Sequence, residues 1–306
     1  MRTFYRIFIP ITALAVVGSC GGDNIDVEPD KHNEDELIIV ETRMLDSADA
    51  MNTSLNGRMF SIPSPIQMAS LLRAKVGTFN ENLLTDPDNV DSYVTEYKRA
   101  LNMGIYGADL GYSTIYENNT RAVTYLSSIE KLSDDLGISG AFDRDLLERF
   151  IENGNEQDSM LVIMSEGYRK GDQYLKENEE HDIAVLVLTG GWIESLYFAC
   201  VSFEETKDQE IANRIGEQKT ALKTLIDLLQ EFDKKEQGVY TPLITDLLDL
   251  QTVFNEVEFV YTYAEPIHDE ANMVTTFTGK TFVKINNSIL KQIISKIKSI
   301  RTNMIA

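Results

Sequence analysis

The sequence predicts an all-α fold, a multi-helix bundle of stacked antiparallel helical hairpins with about nine helices. Three observations predict it. Apolar residues recur at helical spacing in most long segments, few stretches alternate with period two, and short links separate successive segments. Ser64-Pro65-Ile66-Gln67 opens the first strong helix, with Ser as N-cap, Pro at the first helical position and Gln in the capping-box position. Ala69, Leu72 and Val76 follow, and Gly77 closes the segment. Further helices are expected over about 91–117, 119–136, 143–152 and 157–178. Residues 183–201 are apolar nearly all round, the pattern of a central buried helix; Gly190-Gly191 and Glu194 argue against a membrane span. Leu222, Leu225, Leu229 and Phe232 make a clean stripe. Thr241-Pro242 opens a helix carrying Leu243, Leu247, Leu250, Phe254, Val257 and Tyr261, and Pro266 ends that region. The last helix is expected over about 281–302, carrying Phe282, Ile289, Ile293, Ile297 and Ile300. Residues 275–278 are the best candidate for a short extended piece.

The N-terminus has a different character. Arg2 and Arg6 flank an apolar run from Ile7 to Val17, too short for a hydrocarbon core that needs about 20 residues. Val17-Gly18-Ser19-Cys20 follows, and residues 1–20 together resemble the lipobox of bacterial lipoprotein precursors. The resemblance implies that 1–19 are a cleaved signal peptide and that Cys20 receives a diacylglyceryl thioether and an N-acyl chain of the palmitate type. Two or more chains anchor a protein stably in a bilayer. Gly21 stands where an Asp often signals inner-membrane retention, which favours the outer membrane. Asp23, Asp26, Glu28 and Asp30 are similar to the export signals of surface lipoproteins in the Bacteroides group, with the periplasmic and cell-surface faces both left open. Residues 20–58 read as an acidic flexible tether, with Leu37, Val40, Met44, Ala48 and Met51 giving it a marginal helix before Asn56-Gly57. Residues 59–306 read as the all-α globular domain.

Charge and cysteine usage narrow the partners. Lys and Arg number 28 against 49 Asp and Glu, a formal net charge of −21. Such a surface repels phosphate backbones and anionic headgroups, so no nucleic acid is expected, and the acyl chains on Cys20 are left to hold the bilayer. With Cys20 lipidated, Cys200 is alone in Leu196-Tyr197-Phe198-Ala199-Cys200-Val201, where a thiol acts as a small hydrophobe. Stability then rests on core size, and 43% hydrophobic residues suffice for one large domain or two closely packed halves.

No catalytic, metal or cofactor set assembles from the motifs. Glu265-Pro266-Ile267-His268 has the spacing of di-iron bundles, but a second such pair is missing and Pro266 breaks the helix that would present it. Asp86-Pro87-Asp88-Asn89-Val90-Asp91 is carboxylate-dense, yet Val90 falls on an EF-hand ligand position; a turn and a helix cap suit it better. Gly279-Lys280-Thr281 resembles the end of a phosphate loop without its first glycine, so Thr281 reads as a helix cap. Gly-x-Ser-x-Gly, His-Glu-x-x-His and the Gly-x-His-x-x-Glu signature of imelysin-like lipoproteins are absent. Asp46-Ser47-Ala48 and Asp158-Ser159-Met160 are similar to the O-glycosylation tripeptide of exported Bacteroides-group proteins.

One local pattern stands out. Gly104, Gly107 and Gly111 fall at i, i+3 and i+7 on one helix, although glycine costs roughly 1 kcal/mol per helical position relative to Ala. Close approach by another backbone compensates most simply, with Gly190-Gly191 as partner. Beside the strip lie Tyr106, Asp109, Ser113 and Tyr116; on the other glycine-bearing helix lie Trp192 and Glu194. These six form a candidate ligand pocket, against the plainer expectation of tight packing with hydrogen-bonded acids. Lys280, Lys284, Lys291, Lys296, Lys298 and Arg301 make the final helix basic, suited to an acidic body or to an acidic partner. Ser61-Ile62-Pro63-Ser64-Pro65-Ile66 and the segment from Gly104 to Tyr112 make the whole chain similar to helical lipoproteins of the Bacteroides group, a resemblance that implies fold and location and no activity. The expected function is an outer-membrane-anchored, non-enzymatic binding or scaffolding module for a protein or glycan. The alternative is a small-ligand receptor or hydrolase using Asp109 and Glu194.

Overall fold

Helical periodicity becomes ten α-helices among the residues that the computed structural model describes: 37–41, 51–55, 58–62, 64–141, 144–153, 156–234, 238–269, 273–276 and 279–306. In chain order the elements are β1 (Leu37–Glu41), β2 (Met51–Leu55), β3 (Arg58–Ile62), α1 (Pro65–Lys75), two 3-10 turns at Glu81–Leu83 and Pro87–Ser92, and α2 (Glu96–Ile115). Next come α3 (Asn119–Asp135), a 3-10 turn at Ser139–Ala141, α4 (Arg144–Glu152), α5 (Gln157–Glu177) and α6 (His181–Thr206). The chain continues with α7 (Gln209–Gly216), α8 (Lys219–Asp233), α9 (Thr241–Phe254), β4 (Glu258–Thr262), β5 (Ile267–Asp269), β6 (Val274–Thr276), β7 (Lys280–Asn286) and α10 (Asn287–Ile305).

Side-chain caps set half of the described α-helix starts. Ser64 Oγ accepts from Gln67 N at 3.4 Å, and Thr95, Asn118, Asp208 and Asn286 do the same for α2, α3, α7 and α10. The acidic stretch at 86–91 is a turn: Asp86 caps the 3-10 segment by accepting from Asp88 N at 3.0 Å.

The bundle is built around α2 and α6, which make the most extensive contact in the chain. Every residue of α2 from Ala100 to Ile115 is buried. Helices α1, α3, α5 and α10 pack against α2, while α1, α5, α7, α8 and α10 also reach α6. Helix α6 is long and apolar enough to cross a membrane, but 83% of its most apolar window is buried inside the protein, as in the core helix of a water-facing domain.

The strands correct several expectations. Residues 37–41 and 51–55, read as a marginal helix within the tether, are β1 and β2. The run Leu37-Ile38-Ile39-Val40 is rich in branched side chains that fit a pleated surface, and its i, i+3 pattern suits either structure. β1 pairs antiparallel with β7, which pairs antiparallel with β4, giving the sheet order β1-β7-β4. The sheet thus takes residues 37–41 out of the tether. β2 and β3 form a hairpin in register Leu55↔Arg58, and β5 pairs with β6. The final helix starts at Asn287, because residues 280–286 alternate and bury Val283 and Ile285 on one face; Thr281 is a strand residue. Likewise α9 ends at Phe254, and Tyr261 lies in β4. The extended piece expected near 275 is β6. Gly216, the last residue of α7, lets the sheet close in: a Cβ there would stand 2.6 Å from Val283 Cγ1. The lipobox, the acidic residues 23–30 and Asp46-Ser47-Ala48 lie outside the described residues.

Candidate functional site

The glycine strip explains how α2 and α6 meet. A Cβ on Gly104 would collide with the Val187 carbonyl oxygen and stand 2.8 Å from Gly191 N; one on Gly190 would collide with the Leu101 carbonyl. The two backbones touch, as the spacing predicts. Gly107 and Gly111 are less tightly held. Tyr168 of α5 lies over both, 3.6 Å from a Cβ on Gly107, and its hydroxyl donates to the Gly107 carbonyl at 2.6 Å.

This close seam brings Asp109 of α2 to Glu194 of α6. Both side chains are fully buried. Arg301 of α10 clamps Glu194 with two bonds, Nε to Oε2 at 2.6 Å and Nη2 to Oε1 at 2.7 Å. The same Nη2 reaches Thr85 Oγ1 at 2.8 Å and the Leu83 carbonyl at 3.1 Å. Thr85 in turn donates its hydroxyl to Glu194 Oε1 at 3.2 Å and its backbone N–H to Asp109 at 3.3 Å. The Tyr125 hydroxyl donates to the Thr85 carbonyl at 2.7 Å, and the Tyr106 hydroxyl to the Asp86 carbonyl at 3.0 Å. Arg301 also lies over the Tyr197 ring, 4.1 Å from its centroid. A polar knot therefore ties the 83–86 loop to α2, α3, α6 and α10.

Its protonation follows from its geometry. Burial first, and then the charge of Glu194, push the Asp109 carboxyl well above its ordinary value. Burial pushes Glu194 upward too, opposed first by the Arg301 guanidinium and its hydrogen bonds. Burial alone would lower Arg301, and Glu194 more than reverses that. The knot sets the Arg301 guanidinium against the Glu194 carboxylate, with Asp109 beside them held toward its neutral form by burial. Such a set avoids the large penalty of an unpaired buried charge.

The six candidate residues do not form one constellation. Asp109 and Glu194 meet. Tyr106 adjoins them through the 85–86 loop, and its ring tilts against Tyr93 and Tyr125. Ser113 Oγ is buried without a hydrogen-bond partner among the described residues. Tyr116 tilts against Tyr112 and Phe79 at the far end of α2. Trp192 faces away: two helix positions turn it by about 200° from Glu194, and its Nε1 donates to Gln218 Oε1 at 3.0 Å. Thr85 and Arg301 are the members that sequence reasoning left out of the cluster. Arg301 had a signal, since Ile293, Ile297 and Arg301 share one stripe at steps of four, which sets a cation on a buried face.

The basic strip of the last segment is largely absorbed by the body. Lys296 pairs with Asp249, Lys298 with Glu204 and Arg301 with Glu194. Among the described residues no three His, Cys, Asp or Glu side chains converge to hold a metal ion. His268 bonds Thr275 across β5 and β6. Cys200 is buried, and its thiol is pushed up by burial. No family, curated protein or solved structure matches this chain.

Proposed function

We propose that the chain is a lipoprotein held at the bacterial outer membrane through acylated Cys20, and that its helical body acts as a non-enzymatic binding or scaffolding module for a protein or glycan. The anchor rests on the ordered parts of residues 1–20. One observation carries the reading of the body: the gathered ionisable groups Asp109, Glu194 and Arg301 are spent on one another and on the 83–86 loop, away from solvent. A general acid or base must come within hydrogen-bond reach of a substrate proton. A core of this kind makes a rigid platform and leaves recognition to the surface. Replacing Cys20 with Ser and fractionating cells tests the anchor, since an unchanged membrane location refutes it. Protease treatment of whole cells then decides which face of the membrane carries the body. Crosslinking and capture from native membranes tests the module, and recovery of no stable partner counts against it.

The second reading, a small-ligand receptor or hydrolase, draws on the meeting of Asp109 and Glu194 at Thr85. A ligand acting there would raise the melting temperature of the native chain and leave that of Glu194→Gln unmoved. Equal shifts in both proteins remove this reading.

A further inference from the structure

Among the described residues, the outer edge of the sheet carries a run of exposed apolar side chains. More than half of the exposed large apolar side chains among the described residues fall in one stretch: Phe259, Tyr261, Tyr263, Ile267, Met273 and Val274. Three of them lie on or just beyond β4, which occupies the end of the order β1-β7-β4. Phe259 is 41% and Tyr261 61% exposed. Sheet edges are usually protected by Lys, Pro or a bulge, because their free N–H and C=O groups invite another strand. Glu258-Phe259-Val260-Tyr261-Thr262 contains neither Lys nor Pro, and no residue in it has positive φ.

We propose that β4 pairs with β4 of a second copy of this chain, antiparallel about a two-fold axis at Val260, joining two three-stranded sheets in the order β1-β7-β4-β4-β7-β1. The sequence of the strand is self-complementary in that register. Val260 meets Val260 once on the axis, while Phe259 meets Tyr261 and Glu258 meets Thr262 twice each. Phe259 and Tyr261 share one face by the two-residue period of a strand, so both aromatic pairs form on that face. No like charges oppose each other. Glu258 is already opposite Lys284 of β7 within its own sheet, so two acidic bodies meet at a locally balanced seam. A centre on Val260 is an allowed antiparallel register whichever set of β4 amides points outward. The contact is isologous and closes at two copies, the usual symmetry of soluble oligomers. It is independent of the lipid anchor and of the partner proposed above.

Sedimentation of the full chain in detergent, run as a concentration series with three variants, tests this. The native chain is expected to dimerise reversibly. Val260→Lys sets two ammonium groups together on the axis and is expected to weaken the dimer at least about tenfold. Thr262→Lys places an ammonium against Glu258 of the second copy twice over and is expected to tighten it. Val260→Cys is expected to yield a disulfide-linked dimer on mild oxidation, beyond any formed by the native chain. Where Val260→Lys fails to fold, the other two variants decide. A native chain that stays monomeric, or a dimer indifferent to both lysines, overturns the proposal. So does a monomer whose Tyr261 becomes shielded only when lipid vesicles or a polysaccharide are added.

Discussion

The α2–α6 seam and the β4 edge are opposite solutions to placing one backbone beside another. At the seam, Gly104 and Gly190 remove side chains until main chains touch, and Glu194 and Arg301 are paired beside it out of solvent. At β4 the backbone has one strand partner among the described residues, and Phe259 and Tyr261 are exposed. The contrast separates what holds the molecule together from what it has left over for others. A buried network is costly to disturb and has no spare valence. An exposed aromatic strand adds little to folding and has valence to offer.

The contrast breaks hardest at Arg301. Replacing it with Ala leaves Glu194 as an uncompensated buried charge, and denaturant unfolding should show a loss of about 3–5 kcal/mol. Gly104→Ala comes next: its Cβ meets main-chain atoms that cannot rotate away, so a loss of about 3 kcal/mol is expected at the upper end of overpacking effects. Gly107→Ala sharpens the point. Its Cβ makes ordinary contact with Tyr168, so the gain in helix propensity, roughly 1 kcal/mol, should leave the protein as stable or more so. Equal losses at both positions would refute the backbone-contact account of the seam.

Asp109 gives a pH test with a definite sign. Its folded value is raised above the ordinary 3.8, so the folded state binds more protons than the unfolded one above that pH. The stability it contributes is complete below about 3.8 and is lost as pH rises toward the folded value. Asn at this position can accept from Thr85 N and donate to Glu194. Asp109→Asn should therefore melt higher than the native chain at neutral pH, with the gap closing on acidification. A gap that widens with acid would reverse the direction of the Asp109 shift. The smallest effect belongs to the other region: Tyr263→Ser, at 67% exposure, should change unfolding free energy by no more than about 0.5 kcal/mol.

The bundle was legible because helical periodicity, caps and glycine stops agree with one another over long segments, as at Ser64 and Gly77. The strands were harder to read. Leu37-Ile38-Ile39-Val40 satisfies helical and extended spacing alike, and only its pairing with β7, more than 240 residues later in register Leu37↔Asn286, chooses between them. Asn56-Gly57 is a strong two-residue hairpin sequence and, flanked by β2 and β3, could have been read as one. For the site, the glycine spacing located the meeting of Asp109 and Glu194 correctly, because main-chain approach follows from side-chain absence. It could not supply Thr85, which comes from a loop. Trp192 was misplaced because nearness in sequence was allowed to stand for a shared helix face.

The polar knot also bears on time. Its bonds join positions 107 and 216 residues apart along the chain, so they close only after most of the polypeptide has been gathered in. Groups that engage late govern how fast a protein comes apart more than how fast it assembles. Loss of the Arg301 clamp is thus expected to quicken unfolding while leaving the refolding rate nearly unchanged, which makes this small cluster a brake on disassembly.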